Sequence, residues 1–264
     1  MSTHRLPVSG LQVSVQQPTG VEDLLLQEAR NLDMGLAFQL FDRLVRVSRD
    51  AGTSPDTAVS WGELSVTDLE ALLLLLRREV LGDLIRAETE CAAAGCKSRV
   101  DVSFHIDEYL ADQKPRVPRG VAKIEGERTY RLAKSDVRFR LPNGEDMSAI
   151  DRQAITKREL MQRCIQAEVS ARVRQRIERA MEALAPRLSR TMAGECPECH
   201  ATMKFHFYVT PFVLRELRDH AATIFEDVHL LAVYYKWPEE DILALPRSRR
   251  LRYGAALRDQ GSAA

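Results

Sequence analysis

The sequence predicts an α+β fold that is mostly helical, with two related lobes of helices and short antiparallel strands around a zinc-ribbon-like site of four cysteines. Apolar residues recur at helical spacing over much of the 264 residues. Short segments that alternate apolar and polar residues lie between these helical patterns. Two cysteine pairs, Cys91 with Cys96 and Cys196 with Cys199, stand about a hundred residues apart.

Composition places the chain among ordinary globular proteins. It has 38 Lys and Arg against 38 Asp and Glu, so no net charge attracts it to nucleic acid or to an anionic membrane. No segment approaches the roughly 20 apolar residues that span a bilayer, and no apolar signal-peptide core follows Met1. We therefore expect a protein of the reducing cytoplasm without membrane partners, where clustered cysteines favour a metal over a disulfide.

The N-terminal lobe is predicted over residues 1–112. An alternating pattern predicts a strand at 11–15, and helical periodicity predicts helices at 21–32 and 34–47. The capping-box form of Thr67-Asp68-Leu69-Glu70 predicts the start of a helix that runs to about Glu90. Leucines cover so much of that helix that we expect burial on most of its sides.

A linker is predicted over residues 113–127, which are polar and contain Pro115, Pro118, Gly120 and Gly126. The C-terminal lobe is expected over 128–264, where it begins with two strands and ends with a long amphipathic helix and two short helices that open at prolines. The predicted elements are strands at 129–132 and 137–141, a helix at 157–185 broken near Gln166 or Ser170, a helix at 210–235, and helices from Pro238 and Pro246.

The cysteines predict one structural zinc per chain, held by Cys91, Cys96, Cys196 and Cys199. Cys-x-x-Cys is the knuckle spacing of structural zinc sites, and Cys-x4-Cys falls within the tolerated range. Four thiolates leave no open coordination position, which indicates a structural role. Reduced cysteines without a metal are the alternative, and a redox motif is disfavoured because Cys196 does not open a helix in a βαβ pattern.

The surroundings of the two cysteine pairs indicate a weak internal duplication. When Cys199 is placed on Cys96, the alternating apolar residues after the two pairs coincide, and helical residues follow in both places. We expect a helix before each pair and a strand after it. The paired residues are Val100 with Met203, Val102 with Phe205, Phe104 with Phe207 and Ile106 with Val209.

Basic residues are concentrated at 157–179 and at 247–252, a pattern that could contact phosphate. A zinc-ribbon nucleic-acid-binding module is therefore an alternative function, but the zero net charge makes a solvated or protein-docking surface the better interpretation. The sequence has no glycine-rich phosphate loop, no Gly-x-Ser-x-Gly elbow and no metal motif with an open position. We expect neither catalysis nor a small-molecule substrate.

A set of short motifs is spread over most of the chain. The motifs are Cys196-Pro197-Glu198-Cys199, Asp227-Val228-His229-Leu230-Leu231-Ala232, Tyr235-Lys236-Trp237, Ile242-Leu243-Ala244-Leu245-Pro246 and Arg249-Arg250, with Trp61-Gly62, Thr67-Asp68, Val100-Asp101-Val102-Ser103-Phe104 and Phe139-Arg140-Leu141-Pro142 upstream. With these motifs the chain resembles the baseplate hub assembly proteins of contractile-tailed phages and related contractile injection systems. The similarity is most specific in the last seventy residues or so. It departs from the family pattern at His200, where the knuckle usually has Gly, and in the wide spacing of the first cysteine pair.

The resemblance implies a chaperone-like or structural role in building the baseplate hub. Hub proteins would be the partners, and the protein would work in the bacterial cytoplasm or become part of the particle. We expect the helix at 210–235 and the arginine-rich C-terminus to form the partner surface. The resemblance specifies neither which hub protein is the partner nor the oligomeric state. The residues predicted to bind the partner are Leu217, Asp227, His229, Trp237, Arg249 and Arg250.

Overall fold

The computed structural model describes residues 3–48, 59–133 and 137–261. The chain begins with a three-stranded antiparallel sheet of order β1-β2-β3 and two helices, and the fold mixes α and β elements as predicted. These elements are β1 Thr3–Arg5, β2 Gln12–Val15, α1 Gly20–Glu28, α2 Met34–Leu44 and β3 Val45–Ser48. The predicted strand at 11–15 and both helices are confirmed, although residues 45–48 belong to a strand.

The next section of the chain contains the most deeply buried helix and a hairpin. A short 3₁₀ turn at Trp61–Glu63 precedes α3 Val66–Leu81, and β4 Leu84–Glu90, β5 Arg99–His105 and α4 Ile106–Asp112 follow it. Every residue of α3 from Thr67 to Arg77 is buried, which confirms the burial predicted from the leucines.

The boundaries predicted for α3 are wrong at both ends. Ser65 is the N-cap and accepts a hydrogen bond from the amide of Asp68, whereas the Thr67 hydroxyl donates to the carbonyl of Pro186. The helix stops at Leu81 because Gly82 adopts a φ of +88°, a conformation that few other residues reach without strain. Residues 84–90, which were expected to be helical, form β4.

The middle of the chain forms a second three-stranded sheet, of order β6-β7-β8, and three helices. The elements are β6 Val121–Lys123, β7 Thr129–Leu132, β8 Val137–Arg140, α5 Gly144–Asp151, α6 Lys157–Cys164 and α7 Ala171–Leu184. The two predicted strands and the break near Gln166 are confirmed. The segment 113–127, predicted as a linker, contains β6, whose backbone pairs with β7.

The C-terminal part contains a second hairpin and four helices. They are β9 Arg190–Glu195, β10 Thr202–Phe207, α8 Val209–His220, α9 Ile224–Tyr235, α10 Glu239–Leu243 and α11 Arg247–Gly261. The single helix predicted over 210–235 is therefore wrong, because a turn at 221–223 separates α8 from α9. The helices predicted to follow Pro238 and Pro246 are confirmed.

The largest apolar core surrounds α3 and draws side chains from both predicted lobes. Leu40 and Leu72 come from the N-terminal part, and Phe207 and Leu214 come from the C-terminal part, all with no more than 1% of their surface exposed. The predicted division into two lobes is not confirmed.

Buried charges on α3 reinforce the contacts of this core with polar bonds. Asp68 accepts the amides of Val8 and Ser9, and Arg77 pairs with Glu216 at 3.0 Å. These bonds join the β1–β2 turn and α8 to the same helix.

Helices α9, α10 and α11 form a smaller unit with its own apolar cluster around Leu231, Ile242 and Leu257. A buried ionic network attaches this unit to α1. Asp23 on α1 accepts hydrogen bonds from Arg247 and Arg250, and Arg250 also reaches Asp227 at 3.4 Å. Since both aspartates are fully buried, each requires these cationic partners.

Candidate metal centre

Each cysteine pair lies at the tip of an antiparallel hairpin. Cys91 and Cys96 lie in the connection between β4 and β5, and Cys196 and Cys199 lie between β9 and β10. The two connections close in the same way. The amide of Cys91 donates to the carbonyl of Ser98 at 2.9 Å, and the amide of Cys196 donates to that of Ala201 at 3.0 Å.

The two tips bring the four sulfurs into one cluster. Sγ of Cys91 lies 3.7 Å from Sγ of Cys199, and Sγ of Cys96 lies 3.8 Å from that of Cys196. All four sulfurs lie within 4.8 Å of one another. A tetrahedral metal with bonds of about 2.3 Å places its sulfur ligands about 3.8 Å apart. The four cysteines are free thiols, so the geometry fits one metal ion and confirms that the two predicted pairs meet.

Backbone amides surround the sulfurs as hydrogen-bond donors. In all four cases, the amide two residues after a cysteine donates to its sulfur. The pairs are Ala93 with Cys91, Ser98 with Cys96, Glu198 with Cys196 and Ala201 with Cys199. Amides that point at a thiolate favour its ionised form, which is the form that binds metal. The knuckle turns therefore fit a thiolate–metal centre.

The Ser98 side chain links the two knuckles by hydrogen bonds to sulfur. Its hydroxyl lies 3.1 Å from Sγ of Cys96 and 3.2 Å from Sγ of Cys196. The Ser98 hydroxyl is the main reason that the pKa of the Cys196 thiol falls to about 6. Ser98 was not predicted from the sequence. Its position directly before β5 and two residues after Cys96 was the signal that could have identified it.

The pKa of the Cys199 thiol moves in the opposite direction, to about 12. The amide of Ala201 lowers it, but this effect is outweighed by the Cys96 sulfur, by desolvation and by the remaining sulfurs. Four sulfurs this close do not all ionise without a compensating cation. The cluster therefore requires a bound cation to hold all four sulfurs as thiolates.

Each cysteine hairpin is followed directly by a helix, the first by α4 and the second by α8. The equivalent residues Phe104 and Phe207 contact each other edge to face, with ring centroids 5.2 Å apart. Ile106 and Val209, also equivalent, are both fully buried at the starts of α4 and α8. The expectation that a helix leads directly into each cysteine pair is wrong, since β4 and β9 occupy those positions.

The residue after each second cysteine has a left-handed backbone conformation. Lys97 has a φ of +52° and His200 has a φ of +57°. Glycine adopts such angles without a steric cost, so both positions have a backbone conformation that favours glycine.

The remaining cysteine and the histidines beside the hairpins are not ligands of the cluster. Cys164 is buried in the second apolar core, and burial raises the pKa of its thiol to about 11. His105 bonds to Asp83, and His206 bonds to Thr191, each at 2.8 Å. Within residues 3–48, 59–133 and 137–261, the four cysteines are the one group of His, Cys, Asp and Glu side chains placed to share a metal ion.

Three of the six residues predicted to bind a partner lie in the interior. Leu217 is 3% exposed, Asp227 0% and Arg250 1%. Leu217 packs in the main core, while Asp227 and Arg250 pair with each other. These side chains stabilise the fold and are not accessible to a partner.

The other three residues predicted to bind a partner are at the surface or close to it. His229 and Arg249 are exposed, and Trp237 is half-buried against Tyr235 and Tyr253. Their role in binding stays a prediction.

Sequence reasoning also missed an exposed apolar surface on α9. Phe225 is 56% exposed, Val233 47% and Tyr234 61%. The apolar stripe chosen from the sequence, which includes Ile224 and Leu231, is the buried face of this helix. The sequence signal for this exposed surface was that α9 carries apolar residues on nearly all of its sides, more than one buried face can cover.

Comparisons with protein-family models, curated proteins and solved structures found no match to this chain. None of the helices in the described ranges has the length and apolar content needed to cross a membrane.

Proposed function

We propose that this chain is a non-catalytic assembly factor, or a minor structural component, of the baseplate hub of a contractile phage tail or injection system. The observation that carries the non-catalytic part is the four-cysteine cluster. With four protein sulfurs around one ion, no coordination position is open to a substrate. The resemblance of the C-terminal motifs to hub assembly proteins supports the choice of system.

Zinc is the metal that we propose, at one ion per chain. Soft thiolate ligands in a tetrahedral arrangement favour zinc or iron, and zinc carries out no redox chemistry. The ion would be bound by Cys91 and Cys96 from one hairpin and by Cys196 and Cys199 from the other. Its chemical contribution would be to neutralise the thiolates and to join hairpins that are far apart in sequence.

The proposed partner surface is the exposed face of α9, with His229, Trp237 and Arg249 beside it. Phe225 and Val233, about two turns apart on this face, give it exposed aromatic and apolar side chains, and aromatic residues are enriched at protein interfaces. Apolar side chains that remain this exposed on one helix are typical of a surface that a partner covers.

Co-expression with the hub proteins of the same contractile system tests this proposal. We expect one hub protein to co-purify with the tagged chain, and Phe225→Glu with Val233→Glu to abolish the co-purification. Arg172→Glu, an exposed cation on α7, is the matched control and should not affect it. Failure of every hub protein to co-purify with the wild-type chain would contradict the proposed role.

Nucleic-acid binding is the second candidate, and one surface favours it. Helix α7 carries exposed arginines at Arg172, Arg174, Arg176 and Arg179. Phosphate contacts through these residues predict binding that weakens by roughly a decade or more over a few-fold increase in salt. A zero net charge opposes this function, and absence of DNA and RNA binding at low salt would exclude it.

A further inference from the structure

A cavity of about 600 Å³ lies between the β1–β2 turn, α3 and α4, on a part of the surface not used by the metal centre or by α9. Its lining includes four apolar side chains that are at most 5% exposed: Leu6, Ala71, Leu75 and Leu188. The wall is held in place because the carboxylate of Asp68 accepts the amides of Val8 and Ser9 at 2.8 and 2.9 Å. The cavity is therefore preformed.

The rim of the cavity is cationic. Arg5 and Lys114 are exposed, and neither forms an ion pair with any residue in the described ranges. Arg78 also lines the cavity, but it is already paired with Asp107. Two unpaired cations above an apolar floor favour a ligand that carries both carboxylates and an apolar group.

The cavity also adjoins an open edge of a sheet. In the order β1-β2-β3, β1 is an edge strand, and its residues His4 and Arg5 line the cavity. The amide of Leu6 donates to the carbonyl of Leu11 across the hairpin. Hydrogen-bonded and non-hydrogen-bonded pairs alternate along antiparallel strands, so the next pair, Arg5 with Gln12, is not hydrogen-bonded. The N–H and C=O of Arg5 therefore point away from β2. An exposed strand edge of this kind accepts an additional strand.

We propose that this site binds an extended acidic segment of a partner protein, which adds as a strand to β1. One apolar side chain of the segment fills the cavity, and acidic residues on either side of it pair with Arg5 and Lys114. A small inorganic anion does not use the apolar floor, and a nucleic acid does not use the strand edge. This inference does not depend on the role in hub assembly or on the occupant of α9.

Selection from a yeast-displayed library of random heptapeptides tests the proposal on the full-length protein. We expect the enriched peptides to contain an apolar residue flanked by Asp or Glu. The affinity of a synthetic copy of one such peptide is then measured by fluorescence polarisation. Arg5→Glu with Lys114→Glu should weaken binding at least about tenfold, whereas Arg152→Glu, at an exposed arginine that does not line the cavity, should leave it unchanged.

Two further measurements separate the strand edge from the charges. Arg5→Pro, which removes the outward N–H, should weaken binding more than Arg5→Ala does. Amide shifts in the wild-type protein should concentrate at residues 3–10 and at Lys114 when the peptide is added, a readout that does not require any variant to fold. An absence of enriched peptides, enrichment of non-acidic peptides, equal binding by the charge-reversed variant, or shifts elsewhere would overturn the proposal.

Discussion

At the scale of single residues, His200 shows how the knuckle geometry constrains the sequence. Its φ of +57° is in the left-handed region, where a β-carbon costs about 1 kcal/mol. We predict that His200→Gly increases the free energy of unfolding by about 0.5–1 kcal/mol, measured by urea denaturation with metal present. Lys204→Gly, in the middle of β10, should instead destabilise by a similar amount. A loss of stability in His200→Gly equal to that of the control would contradict this account.

Glu70 gives a prediction about pH. Burial raises the pKa of its carboxyl above the ordinary value of 4.5, although Ser189 donates hydrogen bonds that lower it. A carboxyl that binds protons more tightly in the folded state contributes stability below pH 4.5 and loses that contribution as the pH rises through the folded pKa.

Glu70→Gln removes this titration but keeps an acceptor for Ser189. We therefore predict that the stability of the variant relative to the wild-type protein increases as the pH rises from about 4.5 to 7.5. Urea denaturation of both proteins at several pH values measures this difference. A difference that is constant over the range would show that burial does not raise the pKa of Glu70.

Predictability from sequence differs sharply between residues. The ligand cysteines were predictable because metal ligands need a chemical type and a short spacing. Ser98 and Asp23 were not, since their roles depend on contacts with sulfur and arginine atoms about 100 and more than 200 residues away. Nothing local distinguishes the buried Arg250 from its exposed neighbour Arg249.

At the scale of elements, most helices and strands followed from periodicity, and the errors have physical causes. Residues 84–90 were assigned to a helix because the apolar pattern of α3 continues to Leu84. Gly82 ends the helix, however, and pairing with β5 makes residues 84–90 a strand. The break between α8 and α9 was hidden because the apolar pattern continues through both helices. Their buried faces contact different cores.

The C-terminal helices provide a test of the buried ionic network. We predict that Arg250→Met lowers the free energy of unfolding by about 3 kcal/mol, because it leaves the buried Asp23 and Asp227 short of a cation. Arg249→Met, at the exposed neighbouring position, should change it by less than about 0.5 kcal/mol. Equal effects in thermal or urea unfolding would argue against the network.

The hairpins allow a test of a single predicted metal ligand, Cys199. We predict that Cys199→Ser loses the bound metal and much of the folding free energy, because metal binding and folding are coupled. Cys164→Ala, which removes a thiol from the second core, should keep a full metal content. Elemental analysis of the purified variants decides this, and a Cys199→Ser protein with a normal metal content would refute the assignment of that ligand.

At the scale of the whole molecule, the described chain is organised around α3, and the cysteine cluster joins the two hairpins beside the same core. The α+β class and the meeting of the cysteine pairs were predictable, because both depend on patterns repeated along the sequence. The common core was not, since packing of Phe207 and Leu214 with α3 residues is a long-range contact. The linker-like composition of residues 113–127 arises from the turns on either side of β6.

The most direct test of the account is the metal content and ligand set of freshly purified, reduced wild-type protein. Elemental analysis should give one zinc per chain, and X-ray absorption should give four sulfur ligands at about 2.3 Å. Chelation should then lower the unfolding temperature of the whole protein, because a bound ion would join Cys91 and Cys96 to Cys196 and Cys199. Protein that contains no metal, or zinc with fewer than four sulfur ligands, would contradict the central claim.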